Sequence, residues 1–344
     1  MKNEIVQRLK KIEATLNEAL PKTEDWSKKS FFDTPYHVSN QHFAPLLEIN
    51  RDLMLRGGKR WRPLLLILSA ELENASTKKA YQLIPLIEFI HTASLIHDDI
   101  EDNSQMRRGD LSVHLKYGVD SALNAGAWLY FHALSIINRY DGTELEKAQI
   151  YRFAISTISA LHLGQAMDIK WHREPDYIPS ACEYEAMISL KTGALSELAG
   201  KLGVFCETQD YKKAIQLGKI LQNLGIAFQV LDDITNITDG NKGKNRGDDI
   251  VEGKKSLPVI LHLEENPSDI LRITKYFADA KMAGVDSDAV KDCITLLQSG
   301  VGIEKARDYA KKRLSFVSTG IQDMYGNSAA VKTLIEFIEY LNKV

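Results

Sequence analysis

Apolar residues in this chain recur at the three- and four-residue spacing of helices, not at the alternation of strands. Ile84, Leu86, Ile87, Phe89, Ile90, Leu95 and Ile96 make one such run. Leu217, Ile220, Leu221, Leu224, Ile226, Phe228, Val230 and Leu231 make another. Helices this apolar belong in an interior, because a surface helix keeps a polar face. Each run ends in an acidic cluster, DDIED at Asp98 to Asp102 and DDITN at Asp232 to Asn236, so these carboxylates are expected to face a cavity.

Proline placement sets the remaining architecture. None lies between Pro85 and Pro175, none between Pro179 and Pro258, and none after Pro267, leaving three tracts that can be helical without a break. Few β-branched runs alternate with polar residues, and the Asp-Gly pairs at Asp141 and Asp239 sit between helical tracts instead of joining strands. The pattern predicts an all-α protein of about a dozen helices. It also predicts a single domain over residues 1–344, since no Ser/Pro/Gly-rich linker divides the chain. Residues 1–40 read as an N-terminal helix and extension, about 46–263 as the motif-bearing core, and 264–344 as C-terminal helices. Loops are expected at Lys22 to Asn40, Gln105 to Asp110, Trp171 to Ser180 and Thr238 to Asp249.

Composition changes this picture little. A chain of 344 residues, 44% hydrophobic and 26% charged, can bury a large core. Its 43 basic and 46 acidic residues nearly cancel, so no global field argues for nucleic acid or an anionic membrane. Cys182, Cys206 and Cys293 are widely spaced, without CxxC or zinc-ligand spacing, and read as reduced thiols of a cytoplasmic protein. The first twenty residues mix charge with apolar positions and lack a secretory apolar stretch, and nothing is long enough to span a membrane.

The acidic clusters carry the chemistry. Carboxylates at i and i+4 share a helix face, so each cluster can present paired oxygen ligands in one direction. Magnesium uses only one or two protein carboxylates and fills its octahedral shell with water and substrate phosphates, so two facing clusters suggest a diphosphate held between them. A lone cluster of this kind also reads as a solvated helix end. GGKRWRP at Gly57 to Pro63 supplies Lys59, Arg60 and Arg62 on a glycine turn where cations can converge on one anion. Arg107 and Arg108 follow the first cluster, and two adjacent arginines pointing different ways could serve two phosphate groups. Lys191-Thr192-Gly193 interrupts a helical tract and could turn a carbonyl inward. GKNRGDDIVEGKK adds Lys244 and Lys254 on a glycine-punctuated loop able to close over a substrate. Each basic motif, taken alone, is also consistent with a solvated surface.

GGKRWRP, HTASLIHDDIEDNSQMRRG, KTG, FQVLDDITN and GDDIVEGKKSLP, in this order and spacing from about Leu46 to Leu263, resemble the trans-prenyltransferases that make isoprenoid diphosphates. The resemblance implies the isoprenoid synthase fold, all-helical around a deep cavity, with three magnesium ions. By that resemblance Asp98 and Asp102 would hold two ions, with Asp99 in support, and Asp232 the third. Arg107, Lys191 and Lys254, with Lys244, would bind the allylic diphosphate. Lys59, Arg62, His91 and Arg108 would bind isopentenyl diphosphate. Thr192, Gln229 and the Lys191 carbonyl would lend dipoles to an allylic cation. A homodimer is the usual assembly of such proteins.

Asn236 departs from the pattern, standing where most of the family has Asp; the ending resembles eukaryotic-type geranylgeranyl diphosphate synthases and implies altered metal contact rather than inactivity. In the family this chain resembles, bulk one turn before the first cluster stops the product early; Ala93 and Ser94 there are small, which by that resemblance implies growth past fifteen carbons. Trp128, Tyr130, Phe131 and His132 would be the next obstacle or, equally, ordinary core packing. These residues imply a geranylgeranyl product, with farnesyl or longer polyprenyl diphosphates as alternatives. A non-catalytic subunit of a heteromeric synthase and a terpene cyclase are the competing classes. Intact clusters weigh against the first, and a second set of diphosphate-binding cations against the second.

Overall fold

The computed structural model describes residues 2–29, 37–74, 76–240 and 245–341. Among these the regular structure is helical apart from one two-stranded hairpin. The chain forms two compact units, Met1–Ser156 with Leu198–Gln216, and Thr157–Glu197 with Leu217–Val344.

In the first unit lie α1 (Lys2–Ala19), α2 (Ala44–Leu55), α3 (Trp61–Glu71), α4 (Lys78–Gln82), α5 (Ile84–Glu101), α6 (Val113–Tyr117) and α7 (Val119–Ser135). It also takes parts of α8 (Glu144–Arg173), α10 (Ala194–Thr208) and α11 (Tyr211–Ile237). As its uniformly apolar run demands, α5 is a central helix: every residue from Ile84 to Ile90 is buried. Its most extensive packing is against α7, where a Cβ on Gly126 would stand 2.7 Å from His97 Cδ2. Leaving out that side chain brings the two helices into backbone-close contact. On α3 every residue from Trp61 to Ala70 is buried, Arg62 included.

The second unit holds α9 (Ala181–Ile188), α12 (Asp248–Glu252), α13 (Leu257–Glu265), α14 (Ile270–Ala283), α15 (Asp288–Ser299), α16 (Gly302–Tyr325) and α17 (Ala329–Leu341), with the larger parts of α8 and α11. Ile237, Ile250, Val259, Leu263, Ile273, Phe277, Val290 and Leu297 form one core cluster that ties the end of α11 to α12 through α15. Between α9 and α10 the chain makes a π-helical turn at Ser189–Gly193.

Loop expectations need correction at three places. Thr23–Lys29, inside the expected Lys22 to Asn40 loop, is a 3-10 helix whose Trp26 is buried. Gln105 to Asp110 contains a β-hairpin, β1 (Met106–Arg107) against β2 (Asp110–Leu111), with Arg108 at φ 53° and Gly109 at φ 80°. Positive φ at both turn residues is the twist-matched two-residue turn, and here an arginine takes a position that usually favours Asn or Gly. Trp171–Arg173 continues α8, and α9 begins after Ser180, whose hydroxyl and backbone N–H form a capping box with Glu183.

Candidate active site

In the first unit the acidic cluster closes α5. Asp99 is fully buried, and Arg107 reaches back from the hairpin to it, donating from Nε at 2.7 Å and again from Nη2. The same Nη2 lies 3.5 Å from Asp98. Asp98 and Asp102 lie one turn apart at the end of α5. The turn sends Arg108 elsewhere: its Nη1 donates to the Leu53 carbonyl at 3.2 Å, and its Nη2 lies 3.9 Å from Glu88. Expected divergence of the two arginines is therefore observed, and its cause is the hairpin.

GGKRWRP is divided by the same logic. Lys59 is exposed, Arg60 is buried in ion pairs, and Arg62 Nη1 approaches His91 Nε2 at 3.3 Å. A Cβ on Gly58 would lie 3.1 Å from the Arg108 guanidinium, and Gly58 stands at φ 150°, so the glycine lets the loop backbone approach Arg108. Lys59, Arg62, His91 and Arg108 are thus borne by one compact unit. Burial, with Arg62, Arg108, Arg107 and Arg60 around it, holds the His91 imidazole well below its usual range. A neutral ring can hydrogen-bond a diphosphate without adding a second charge to a guanidinium cluster.

Unit two gathers Lys191, Thr192, Gln229 and the second cluster. Thr192 Oγ1 donates to Gln229 Oε1 at 2.9 Å, Gln229 Nε2 donates to Asp233 Oδ1 at 2.9 Å, and the Tyr184 hydroxyl donates to Asp233. Lys191 Nζ donates to Asp168 at 2.7 Å, and His172 meets the same carboxylate at 2.9 Å. Burial alone would raise Asp168, but Lys191 and His172 hold it well below the usual carboxylate range. Lys254 pairs with Glu252 and lies 3.5 Å from Asp249. Burial, then the Asp249 and Asp232 carboxylates, push Asp233 up to about 7, although Tyr184 and Gln229 pull the other way. So much acidity in one place is costly unless cations join it.

The π-turn explains how KTG is exposed to this cluster. On α11, a Cβ at Gly225 would lie 2.8 Å from Gly193 Cα and 3.0 Å from the Thr192 carbonyl; on α8, one at Gly164 would lie 2.6 Å from Lys191 N. Two glycines on flanking helices thus clasp the widened turn.

Several functional candidates were missed by sequence reading. Asp168 shares a helix face with Gly164, one turn earlier, and this Gly/Asp pair on a packed face was the available signal. Tyr184 gave none. Asp233 and Asp249 stood in quoted motifs but were passed over for their neighbours. Lys244 falls outside the described residues.

Of the chain-length candidates, Ala93 is buried and falls between Phe89 and His97, both of which face α7. Ser94 turns its hydroxyl to the His91 carbonyl at 2.8 Å. Trp128 stacks on His132 at 4.7 Å, His132 on Phe89 at 5.4 Å, and Trp26 packs edge-on against both Trp128 and His132. Phe131 must be corrected: it is 72% exposed, about 100° around α7 from the buried His132, and does not line the interior of its unit.

Among the described residues no three His, Cys, Asp or Glu side chains converge as a metal-holding group. The residues whose chemistry could hold a hard cation are Asp98 and Asp102, carboxylates one turn apart at the end of α5, since such an ion takes oxygen ligands. A cavity of about 540 Å³ lined by Gln149, Arg152, Phe153 and Lys201, among others, contains none of the residues above.

An all-helical protein with aspartate pairs at helix ends and two sets of phosphate-seeking cations is built to handle diphosphates. Over residues 44–297 the sequence matches the polyprenyl synthetase family. It is 36% identical over 238 residues to a geranylgeranyl diphosphate synthase of Saccharolobus solfataricus, covering 67% of this chain and 70% of that one. It is 30% identical over 307 residues to a geranylgeranyl pyrophosphate synthase of Geoglobus acetivorans, covering 88% and 92%. The crystal structure of geranylgeranyl pyrophosphate synthetase from Pyrococcus horikoshii superposes with a TM-score of 0.84 at 29% identity, over 99% of this chain and 98% of that one. The chain belongs to the polyprenyl synthetase family, the trans-isoprenyl diphosphate synthases, and is an enzyme of prenyl transfer.

Proposed function

We propose that this enzyme elongates an allylic diphosphate with isopentenyl diphosphate to an all-trans product, geranylgeranyl diphosphate. One observation carries this reading above a cyclase: the hairpin sends Arg107 to the aspartates and Arg108 beside Gly58 of the GGKRWRP loop, so one turn would serve two diphosphates. A cyclase would have no use for the second.

Lys191, Lys254 and Arg107 hold the allylic diphosphate, with Lys244; Lys59, Arg62, His91 and Arg108 hold isopentenyl diphosphate. The allylic C–O bond breaks and its electron pair leaves with diphosphate. Thr192 Oγ1, Gln229 Oε1 and the Lys191 carbonyl point partial negative charge at the cation. The double bond of isopentenyl diphosphate attacks the cationic carbon, and the departing diphosphate takes the proton whose loss restores an alkene. Asp98, Asp102 and Asp232 would hold magnesium, three ions in all, which when bound neutralises the leaving diphosphate. Support for this is the crowding of Asp232, Asp233 and Asp249.

Product length would rest on Ala93, whose buried side chain is small, and on Trp128 stacked on His132. Exposed Leu123, Phe131, Leu145 and Ile155 on α7 and α8 suit a second copy of the chain, and the enzyme is proposed to be a homodimer. Three unpaired cysteines fit a reducing cytoplasmic setting. No described helix is long and apolar enough to cross a membrane. The absence of any linker-like stretch supports one domain for the whole chain.

The test is incubation of the pure protein with isopentenyl diphosphate and dimethylallyl, geranyl or farnesyl diphosphate in magnesium, followed by chromatographic sizing. A twenty-carbon product is expected. No elongated product from any primer would refute the reading.

A further inference from the structure

Arg60 stands between two proposed substrate ligands, Lys59 and Arg62, yet its own side chain is only 2% exposed. Its Nη1 donates to Glu88 Oε1 at 2.6 Å, its Nε to Glu13 Oε1 of α1 at 2.7 Å, and its Nη2 to the Met54 carbonyl at 2.5 Å. Each guanidinium nitrogen is thus engaged by a protein acceptor, and the buried side chain is turned away from a diphosphate in solvent. Arg60 also sits at φ 46° where α3 begins, a strained setting for a non-glycine residue, which these three bonds offset. The same Glu88 oxygen lies 3.9 Å from Arg108 Nη2, and Glu88 is itself only 2% exposed. One buried carboxylate therefore stands between two guanidiniums, one structural and one assigned to substrate. His91, which approaches Arg62, follows Glu88 by one turn on α5.

We propose that Glu88 and Arg60 are positioning residues for isopentenyl diphosphate: Glu88, anchored by Arg60, fixes where Arg108 is presented, and Glu13 ties α1 to the same arrangement. This rests on the assignment of Arg108 to isopentenyl diphosphate made above. Burying two like charges side by side requires the shared carboxylate; without it Arg60 and Arg108 repel and separate.

Charge and positioning predict opposite results for Glu88→Gln. Removing a negative charge makes the site more attractive to an anion and, acting alone, would lower the KM for isopentenyl diphosphate. Displacing Arg108 raises it. We expect a rise of about tenfold, the effect of one weakened charge-assisted phosphate contact, with the KM for the allylic primer within about twofold of wild type. A second variant, Arg60→Met with Glu88→Met, replaces the ion pair by apolar side chains of similar length, an exchange that proteins often tolerate in stability. If the pair serves stability alone, this double variant regains wild-type KM along with wild-type Tm; we expect the raised isopentenyl KM to persist. An unchanged or lowered KM in Glu88→Gln, equal rises for both substrates, or recovery in the double variant overturns the proposal. Should Glu88→Gln fail to fold, the double variant decides. A wild-type protein that elongates no primer overturns instead the functional reading on which the proposal rests.

Discussion

Gly225→Ala tests the clasp around the KTG turn. The added methyl would stand 2.6 Å from Ser196 Oγ, 2.8 Å from Gly193 Cα and 3.0 Å from the Thr192 carbonyl. Carbon atoms rest at about 3.5 Å or more, so α11 and the π-turn must part by roughly 0.7 Å. Ser196 can rotate its hydroxyl aside; Gly193 Cα and the Thr192 carbonyl are backbone and cannot. Helix propensity would favour alanine by up to about 1 kcal/mol, but overpacking of this kind costs about 1–3 kcal/mol, so the net change is a modest loss of stability. Function should suffer more. Gln229 lies one turn beyond Gly225, and its 2.9 Å bond to Thr192 spans the gap that opens. Misplacing a reacting group by about 1 Å can cost about a hundredfold, so a shift of this size should lower kcat by about ten- to a hundredfold with a Tm drop of only a few degrees. Single-turnover rates of elongation, with thermal melts of the same preparation, provide the measurement. A variant with normal kcat and normal Tm would show that the helices are not clasped as described.

Asp98→Ala should cost at least about a thousandfold in kcat with the circular dichroism spectrum unchanged, and chelation should abolish wild-type turnover; near-normal rates in either case would remove magnesium from the assignment. Arg62→Ala should raise the KM for isopentenyl diphosphate more than that for the primer, and equal effects would mean that the cations are wrongly divided. His132, buried in its aromatic stack, has its imidazole pushed down from 6.5 to about 4. Below the unfolded value the unfolded chain takes up a proton that the folded protein refuses, so stability is lost as pH falls from about 6.5 toward 4. Between pH 7 and pH 5 this amounts to about 2 kcal/mol, and urea melts of His132→Phe should lack that share of the pH dependence; equal slopes in both proteins would refute the argument. Ala93→Phe should shorten the main product and Trp128→Ala lengthen it, while Phe131→Ala, at an exposed position, should leave it unchanged.

The sequence made the helices legible because their apolar spacing is strong and proline is excluded from three long tracts. Both acidic clusters were legible for a related reason: a carboxylate pair at the end of an apolar helix contradicts its surroundings. Arg108's turn was not, because a two-residue hairpin carries no periodicity and an arginine disguises a left-handed position. Nor was the ring stack at Trp128, since its partners Trp26 and Phe89 come from distant segments and only tertiary packing unites them. Phe131 was misjudged for the converse reason. Inside an aromatic stretch one side chain in three or four must point outward, and composition does not say which.

Asn236 shows what a departure from a motif can mean once its neighbours are known. It is 1% exposed, its side-chain oxygen accepts from Asp249 N at 3.4 Å, and its carbonyl accepts from Gly247 N at 3.1 Å. Both contacts tie the end of α11 to the start of α12, the helix that leads to Lys254. An aspartate here could accept the same bond, but it would add a buried charge beside Asp249 in a cluster that already pushes Asp233 up to about 7. Asparagine keeps the acceptor and omits the charge. The reading predicts that Asn236→Asp lowers stability in the absence of metal and that saturating magnesium recovers most of the loss, because added cations offset what the new carboxylate costs. Thermal melts with and without magnesium separate the two cases. A variant as stable as wild type in chelator would mean that Asn236 relieves no crowding, and the substitution would then have no electrostatic reason.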